Sequence, residues 1–261
     1  MDMAKETVWK LRPYLKKTPW AGTRLAERYG ESGVGEAYLL SAVPGRSAAL
    51  ANGVSFRRFL AARGEDPDAF PLLVKVIDAA RPLSVQVHPE KEELWLIEEV
   101  YGETGFYVGF RREVTAAECR RRCGDGSILS LLRPVPAAVG GEILIPRGAV
   151  HTAAGAVFLE IQTNSDVTYR LFDYGRGRGL RLSAGLAAAD LTGREARGAF
   201  PFQYDRVALA GGGFPLPGKA AVISRSACGV WGGVPFAPGD CLWGDGGGAV
   251  TGSGLLTVVR L

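Results

Sequence analysis

Residues 72–97 read LLVKVIDAARPLSVQVHPEKEELWLI. Three apolar or alternating runs stand out in it: Leu72-Leu73-Val74-Lys75-Val76-Ile77, Leu83-Ser84-Val85-Gln86-Val87-His88 and Leu94-Trp95-Leu96-Ile97. Each has strand rather than helix length, and Pro82 and Pro89 separate them. Gly105-Phe106-Tyr107-Val108-Gly109-Phe110 continues the series, and so do residues 142–145, 156–161 and 167–172. Short strands in succession with turn residues between them predict a mainly β sandwich or jelly roll. The 36 glycines and 15 prolines spread along the chain agree with many turns.

Outside this region the pattern is mixed. Leu25 to Tyr29 reads as a helical turn, Glu36 to Ser41 as a strand, and Ser55 to Arg63 as helical from the spacing of Phe56, Phe59 and Leu60. Val114 to Cys123 is predicted as a helix, with Thr115 as N-cap and Gly124 just past its end. The glycine- and arginine-rich run 175–179 suggests a boundary. The expected division is residues 1–180 as one domain and 181–261 as a short helix plus a smaller β domain. In the latter, core packing is the expected role of Trp231, Trp243 and Phe236, ahead of a sugar-stacking surface.

The chain of 261 residues is 47% hydrophobic and 22% charged, which excludes wholesale disorder. Its formal charge of +4 is scattered, which suits an anionic small molecule and not a nucleic acid. No stretch approaches about 18 uninterrupted apolar residues, and residues 1–6 lack the apolar core of a signal peptide, so neither membrane nor export is expected and the cytoplasm is the default location. The four cysteines are expected as free thiols, because Cys119 and Cys123 have no further ligand nearby to complete a zinc clip.

The chain has two histidines, His88 and His151. Each ends a strand-like segment beside a proline or glycine. Alternation along a strand puts Ser84, Gln86 and His88 on one face. Glu93 follows five residues after His88, and a tight hairpin at Pro89-Glu90 would bring it back to the histidine. Two imidazoles, a carboxylate and an amide oxygen form a mixed set that suits zinc, and also manganese, iron or cobalt, with one position left for water or substrate.

Lys75, Pro82-Leu83-Ser84-Val85-Gln86-Val87-His88-Pro89 and the run Leu159 to Tyr174 resemble the signature of type I mannose-6-phosphate isomerases (phosphomannose isomerases), in a short bacterial-type cupin form. Trp20-Ala21-Gly22, Gly35-Glu36 and Ser41 are similar to the family's N-terminal motifs, and Phe214-Pro215-Leu216 onward to its degenerate C-terminal cupin. The resemblance implies a cupin fold and a zinc site of Gln86, His88, Glu93 and His151. It implies Arg170 as the active-site arginine, Lys91 near the reacting carbons, and Lys75 and Ser84 in sugar or phosphate binding. Arg176 is a further phosphate candidate and Glu160 a further candidate base. The family's segment between histidine-proline and glutamate is longer, whereas here only Glu90, Lys91 and Glu92 intervene, so Glu92 stays open as the one-residue-slipped ligand.

The function implied is interconversion of mannose 6-phosphate and fructose 6-phosphate by C1–C2 proton transfer through an enediol, in a monomer or homodimer. The rivals are a catalytically idle sugar-phosphate-binding cupin and a metal cupin acting on another small substrate. An oxygenase of the three-histidine kind is disfavoured by the histidine count.

Overall fold

The computed structural model describes residues 7–101, 104–195 and 198–261. The amino-terminal residues 1–6, on which the export expectation falls, lie outside them. The described chain is mainly β, as expected, with short helices at Arg24–Tyr29, Phe56–Ala62, Ala116–Gly124 and Leu182–Ala188. No helix among these residues is long and apolar enough to cross a membrane.

The chain divides into two compact units. One comprises Leu15–Ala37 and Leu72–Phe200. It carries a six-stranded sheet in the order Glu142–Ile145, Glu93–Val100, Ala156–Thr163, Leu72–Ala79, Val34–Leu40, Tyr14–Lys17. It also carries a five-stranded sheet in the order Tyr169–Phe172, Val85–Val87, His151–Thr152, Tyr107–Phe110, Leu132–Pro134. Both are antiparallel. Ile77, Trp95, Ile97, Ile143, Ile145 and Phe158 from the first sheet share one core with Leu83, Phe106, Val108, Ala149 and Ala153 from the region of the second. The two inner faces therefore meet as a sandwich.

The inner face of the larger sheet changes character along its strands. Register rows run Lys75–Glu160–Trp95 and Leu73–Gln162–Glu93. Lys75, Glu160, Gln162 and Glu93 are buried at one end of that face, and Ile77, Phe158 and Ile97 are buried at the other. An apolar end supplies burial free energy, at about 25 cal/mol per Å². The polar end is where chemistry can be held.

The outer face of the five-stranded sheet presents Val85, Val87, Val150 and Leu171 to Cys119, Cys123 and Leu186 of two helices. Thr115 caps the first of these, its hydroxyl accepting from Glu118 N at 3.1 Å. That helix includes Gly124, one residue beyond the expected end; the positive φ falls later, at Gly126. Gly185 lets the second helix approach, since a Cβ there would lie 2.4 Å from Leu171 Cδ2. Burial pushes the Cys119 and Cys123 thiols up to about 11.

Gly22, in the Trp20-Ala21-Gly22 motif, has a steric reason: a Cβ would meet Asp78 Oδ1 at 2.3 Å. The buried Asp78 carboxylate accepts from Arg24 N at 2.9 Å and Leu25 N at 3.3 Å, serving the start of the helix that Thr23 does not cap.

The other unit comprises Met1–Tyr14, Tyr38–Pro71 and Pro201–Leu261. Its sheet runs Val234–Phe236, Cys228–Trp231, Ala249–Arg260, Ala220–Ser224, Cys241–Gly244, Val8–Arg12, Ala49–Leu50, with Gln203–Pro215 paired to Ala249–Arg260. The bounds differ from the expected 1–180 and 181–261. The physical reason is strand pairing: Val8–Arg12 hydrogen-bonds to Cys241–Gly244. Phe56 and Phe70 pack edge-on against Trp243, at 5.9 and 5.3 Å between centroids. Trp231, Trp243 and Phe236 are buried, so they are core residues and not a stacking surface.

Candidate metal centre

His88 and His151 converge at the polar end of the sandwich. His151 begins a strand that pairs with Val85–Val87, in register with Gln86, and Arg170 is Gln86's partner on the other side. His151, Gln86 and Arg170 therefore form one row across the sheet, on one face. His88 lies just past Val87, where Pro89 ends the strand.

The link to Glu93 is not the hairpin expected from sequence. Among the described residues, Val85–Val87 pairs with strands of the five-stranded sheet and Glu93–Val100 with strands of the six-stranded sheet. Residues 89–92 carry the chain from one sheet to the other. The reason is burial: both segments are apolar enough to need an inner face, and facing sheets provide two. Glu93 thus meets the histidines across the interior. Glu92 turns away and pairs with Arg147 at 3.2 Å.

Glu93 Oε1 lies 3.1 Å from His88 Nε2, and Oε2 lies 3.7 Å from His151 Nε2. The donor atoms of all three residues fall within 4.8 Å of one another, and all three are buried. Each imidazole has its other nitrogen on a backbone carbonyl at 2.8 Å, His88 Nδ1 on Val167 and His151 Nδ1 on Ala149. A carbonyl only accepts, so both Nδ1 atoms carry the proton and both Nε2 lone pairs point inward.

Burial, then the charge of Lys91, holds His88 down to about 4, against the opposing pull of Glu93. Burial also lowers His151. Burial would raise the Glu93 carboxyl, but Lys91 and the two histidines outweigh it and hold it well below the usual range. Two neutral imidazoles and a carboxylate are the protonation states that a divalent cation requires. Glu93 Oε2 is buried with no hydrogen-bond partner among the described residues, which a cation would satisfy. The residues therefore fit a metal.

Gln86 sits beside them, with Nε2 3.3 Å from His151 Nε2 and 3.5 Å from His88 Nε2. Its Oε1 accepts from Ser84 Oγ at 3.0 Å. A hydroxyl can equally accept, so turning the amide over keeps that bond and aims Oε1 at the cluster.

Depressed imidazoles carry a stability consequence. An unfolded histidine binds its proton near 6.5, whereas folded His88 does so near 4. Between those values the unfolded chain binds more protons, so the metal-stripped protein is most stable above 6.5 and weakens as pH falls toward 4. At about 1.4 kcal/mol per pH unit, the loss for His88 is roughly 3 kcal/mol across the window. Urea denaturation of chelator-treated protein at several pH values checks this; a midpoint independent of pH there would contradict neutral buried imidazoles.

Lys91, buried on the crossing segment, lies 2.8 Å from Glu93 Oε1 and donates to Gln162 Oε1 at 3.0 Å. Burial foremost, and then the charge of Lys75, lower its pKa. Lys75 donates to Glu160 Oε1 at 2.8 Å, and Glu160 Oε2 accepts from Trp95 Nε1 at 3.0 Å. Among the described residues Arg176 makes its contacts away from this cluster: it lies over the Tyr174 ring at 5.1 Å and 3.7 Å from Asp173.

The sequence assigns no role to two residues of this interior. Gln162 shares its face with Glu160, and two polar residues two apart in an otherwise apolar strand would have marked it. Glu36, buried, lies 2.9 Å from Lys16 and 4.0 Å from Lys75. The register pair that separates the two ligand assignments can be tested directly. Glu93→Gln is expected to weaken metal binding by at least tenfold and Glu92→Gln to leave it near wild type. Equal effects in a chelator competition would contradict the geometry.

The family model for the catalytic domain of type I phosphomannose isomerase matches residues 48–100. The probable mannose-6-phosphate isomerase GmuF of Bacillus subtilis is 33% identical over 193 residues, covering 64% of this chain and 61% of that protein. The chain thus spans about three fifths of that relative's length. The crystal structure of the mannose 6-phosphate isomerase from Bacillus subtilis superposes with a TM-score of 0.79 at 23% identity, over 98% of this chain and all of that one. A zinc-bound mannose 6-phosphate isomerase gives 0.76 at 16% identity, covering 98% and 100%. The latter two likenesses are of fold, and the fold is the cupin sandwich. The family match ends at Val100, the last residue of the strand that Glu93 opens, so it takes in Gln86, His88 and Glu93 of the cluster. The chain is thus similar to the type I phosphomannose isomerase catalytic domain over residues 48–100 and to mannose-6-phosphate isomerases over about three fifths of their length.

Proposed function

We propose that the protein is a metal-dependent mannose-6-phosphate isomerase, with zinc the metal that its donor set suits. One observation carries the reading: two inward imidazole nitrogens meet a buried carboxylate whose Oε2 has no hydrogen bond among the described residues, with Lys91 beside it. His88, His151, Glu93 and the turned-over amide of Gln86 would hold the ion. When bound, it supplies a Lewis acid that orients and polarises substrate oxygens.

Aldose–ketose interconversion moves a proton between C1 and C2. The chain must therefore remove a proton from carbon, return one, and stabilise negative charge on oxygen between these events. Both imidazoles have their two nitrogens engaged or committed to the donor set, and no third histidine exists. Proton transfer falls to Lys91 or Glu160. Arg170, always charged and in the row with Gln86, suits the stabilisation of developing oxyanion charge. Lys75, Ser84 and Arg176 are the proposed sugar-phosphate contacts. Lys75 and Ser84 are already tied to Glu160 and Gln86, so they would act by fixing the walls of the site as well as by contact.

The test is formation of fructose 6-phosphate from mannose 6-phosphate in a coupled assay, before chelation, after it, and after zinc is restored. Turnover lost on chelation and regained with zinc is expected. Absence of turnover in the zinc-restored protein would sink the proposal and favour a binding protein of the same fold.

A further inference from the structure

Gln162 is fully buried on the strand Ala156–Thr163, in register between Leu73 and Glu93. Its Oε1 accepts from two ammonium groups, Lys91 at 3.0 Å and Lys75 at 3.2 Å. Its Nε2 donates to two backbone carbonyls, Thr163 at 3.1 Å and Ser165 at 2.8 Å. Turned over, the amide would set its N–H groups against two cations and its oxygen against two carbonyls. All four contacts would become repulsive, so this amide has one orientation. Gln86, by contrast, can turn.

Two features hang from that fixed group. On its oxygen side, a single acceptor draws together two lysines that repel each other, and so sets where the Lys91 ammonium lies relative to Glu93. On its nitrogen side, it clamps the turn that begins at Thr163. Ser165 N donates to Thr163 O at 2.7 Å, and Val167 N donates to Ser165 Oγ at 3.3 Å. The Val167 carbonyl at the end of this short path is the acceptor for His88 Nδ1.

We infer that Gln162 is a positioning residue that couples the lysine pair to the orientation of His88: one locked amide places the Lys91 ammonium and braces the carbonyl that keeps His88 Nε2 turned toward Glu93. The inference rests on the metal reading of the cluster, and only its kinetic arm rests on the isomerase reading.

Gln162→Leu removes both sides of the amide at similar volume. The zinc Kd, measured by chelator competition, is expected to rise about 10- to 100-fold. For the same variant kcat per bound zinc is expected to fall at least about tenfold, with a smaller change in KM. Gln162→Glu keeps oxygens toward the lysines but has no N–H for the two carbonyls. It isolates the turn, and its zinc affinity is expected to fall as well. A purely structural role would lower Tm and leave the zinc Kd and kcat per zinc alone. That result in folded Gln162→Leu, or wild-type zinc affinity in Gln162→Glu should the leucine variant not fold, overturns the inference. If the wild-type protein fails to turn over mannose 6-phosphate, the isomerase proposal falls while the zinc comparison still decides this one.

Discussion

Replacing His151 with alanine is expected to remove bound metal and turnover together, with a loss of at least about a thousandfold in zinc affinity. The magnitude follows from how little can replace the imidazole. His151 is buried, its Nδ1 is held by its own Ala149 carbonyl, and its Nε2 is one of two inward nitrogens. The chain has one other histidine, already in the cluster. Losing one of four ligands removes several kcal/mol of coordination, at about 1.4 kcal/mol per factor of ten. The fold should survive. The histidine abuts Trp95 at 5.6 Å between ring centroids, and a cavity at the polar end can admit water. Metal content and turnover measured on the folded variant check this. Retention of stoichiometric zinc would mean that the ion sits elsewhere.

The features that sequence made legible are those with a local signature. Strand length and alternation gave the sandwich, and alternation alone placed Ser84, Gln86 and His88 on one face. Thr115 was visible as a cap because capping is decided within one turn of helix. What escaped was non-local. Nothing in Val8 to Arg12 says that its partner is Cys241–Gly244, so the division of the chain into units was missed. Glu93 was found as a candidate but for the wrong geometric reason. A hairpin and a crossing between sheets need equally few residues, and only burial of both segments on inner faces decides between them. Gln162 carries a local mark, two residues from Glu160 in an apolar strand, but its role lies in four partners, two of them lysines brought from residues 75 and 91.

Lys91→Met is expected to cut kcat by about 10²- to 10⁴-fold while zinc remains bound, the range ordinarily contributed by a positioned proton-transfer group. The case for Lys91 over Glu160 rests on what surrounds each. Both Glu160 oxygens already accept hydrogen bonds, from Lys75 and from the Trp95 indole N–H. Taking up a substrate proton there would mean giving up one of these two bonds. Lys91 faces the opposite pressure. Burial first, and Lys75 next, disfavour its ammonium, and the pull of Glu93 is the main restraint on its deprotonation. A cation drawing on Glu93 would weaken that restraint further, in the same downward direction. Methionine preserves length and burial while deleting the proton carrier, and Gln162 Oε1 keeps Lys75 as a partner. Steady-state kinetics with zinc content measured on the same sample check the prediction. A zinc-loaded variant within tenfold of wild-type kcat would transfer the role to Glu160, and Glu160→Gln would then have to show the loss that Lys91→Met did not.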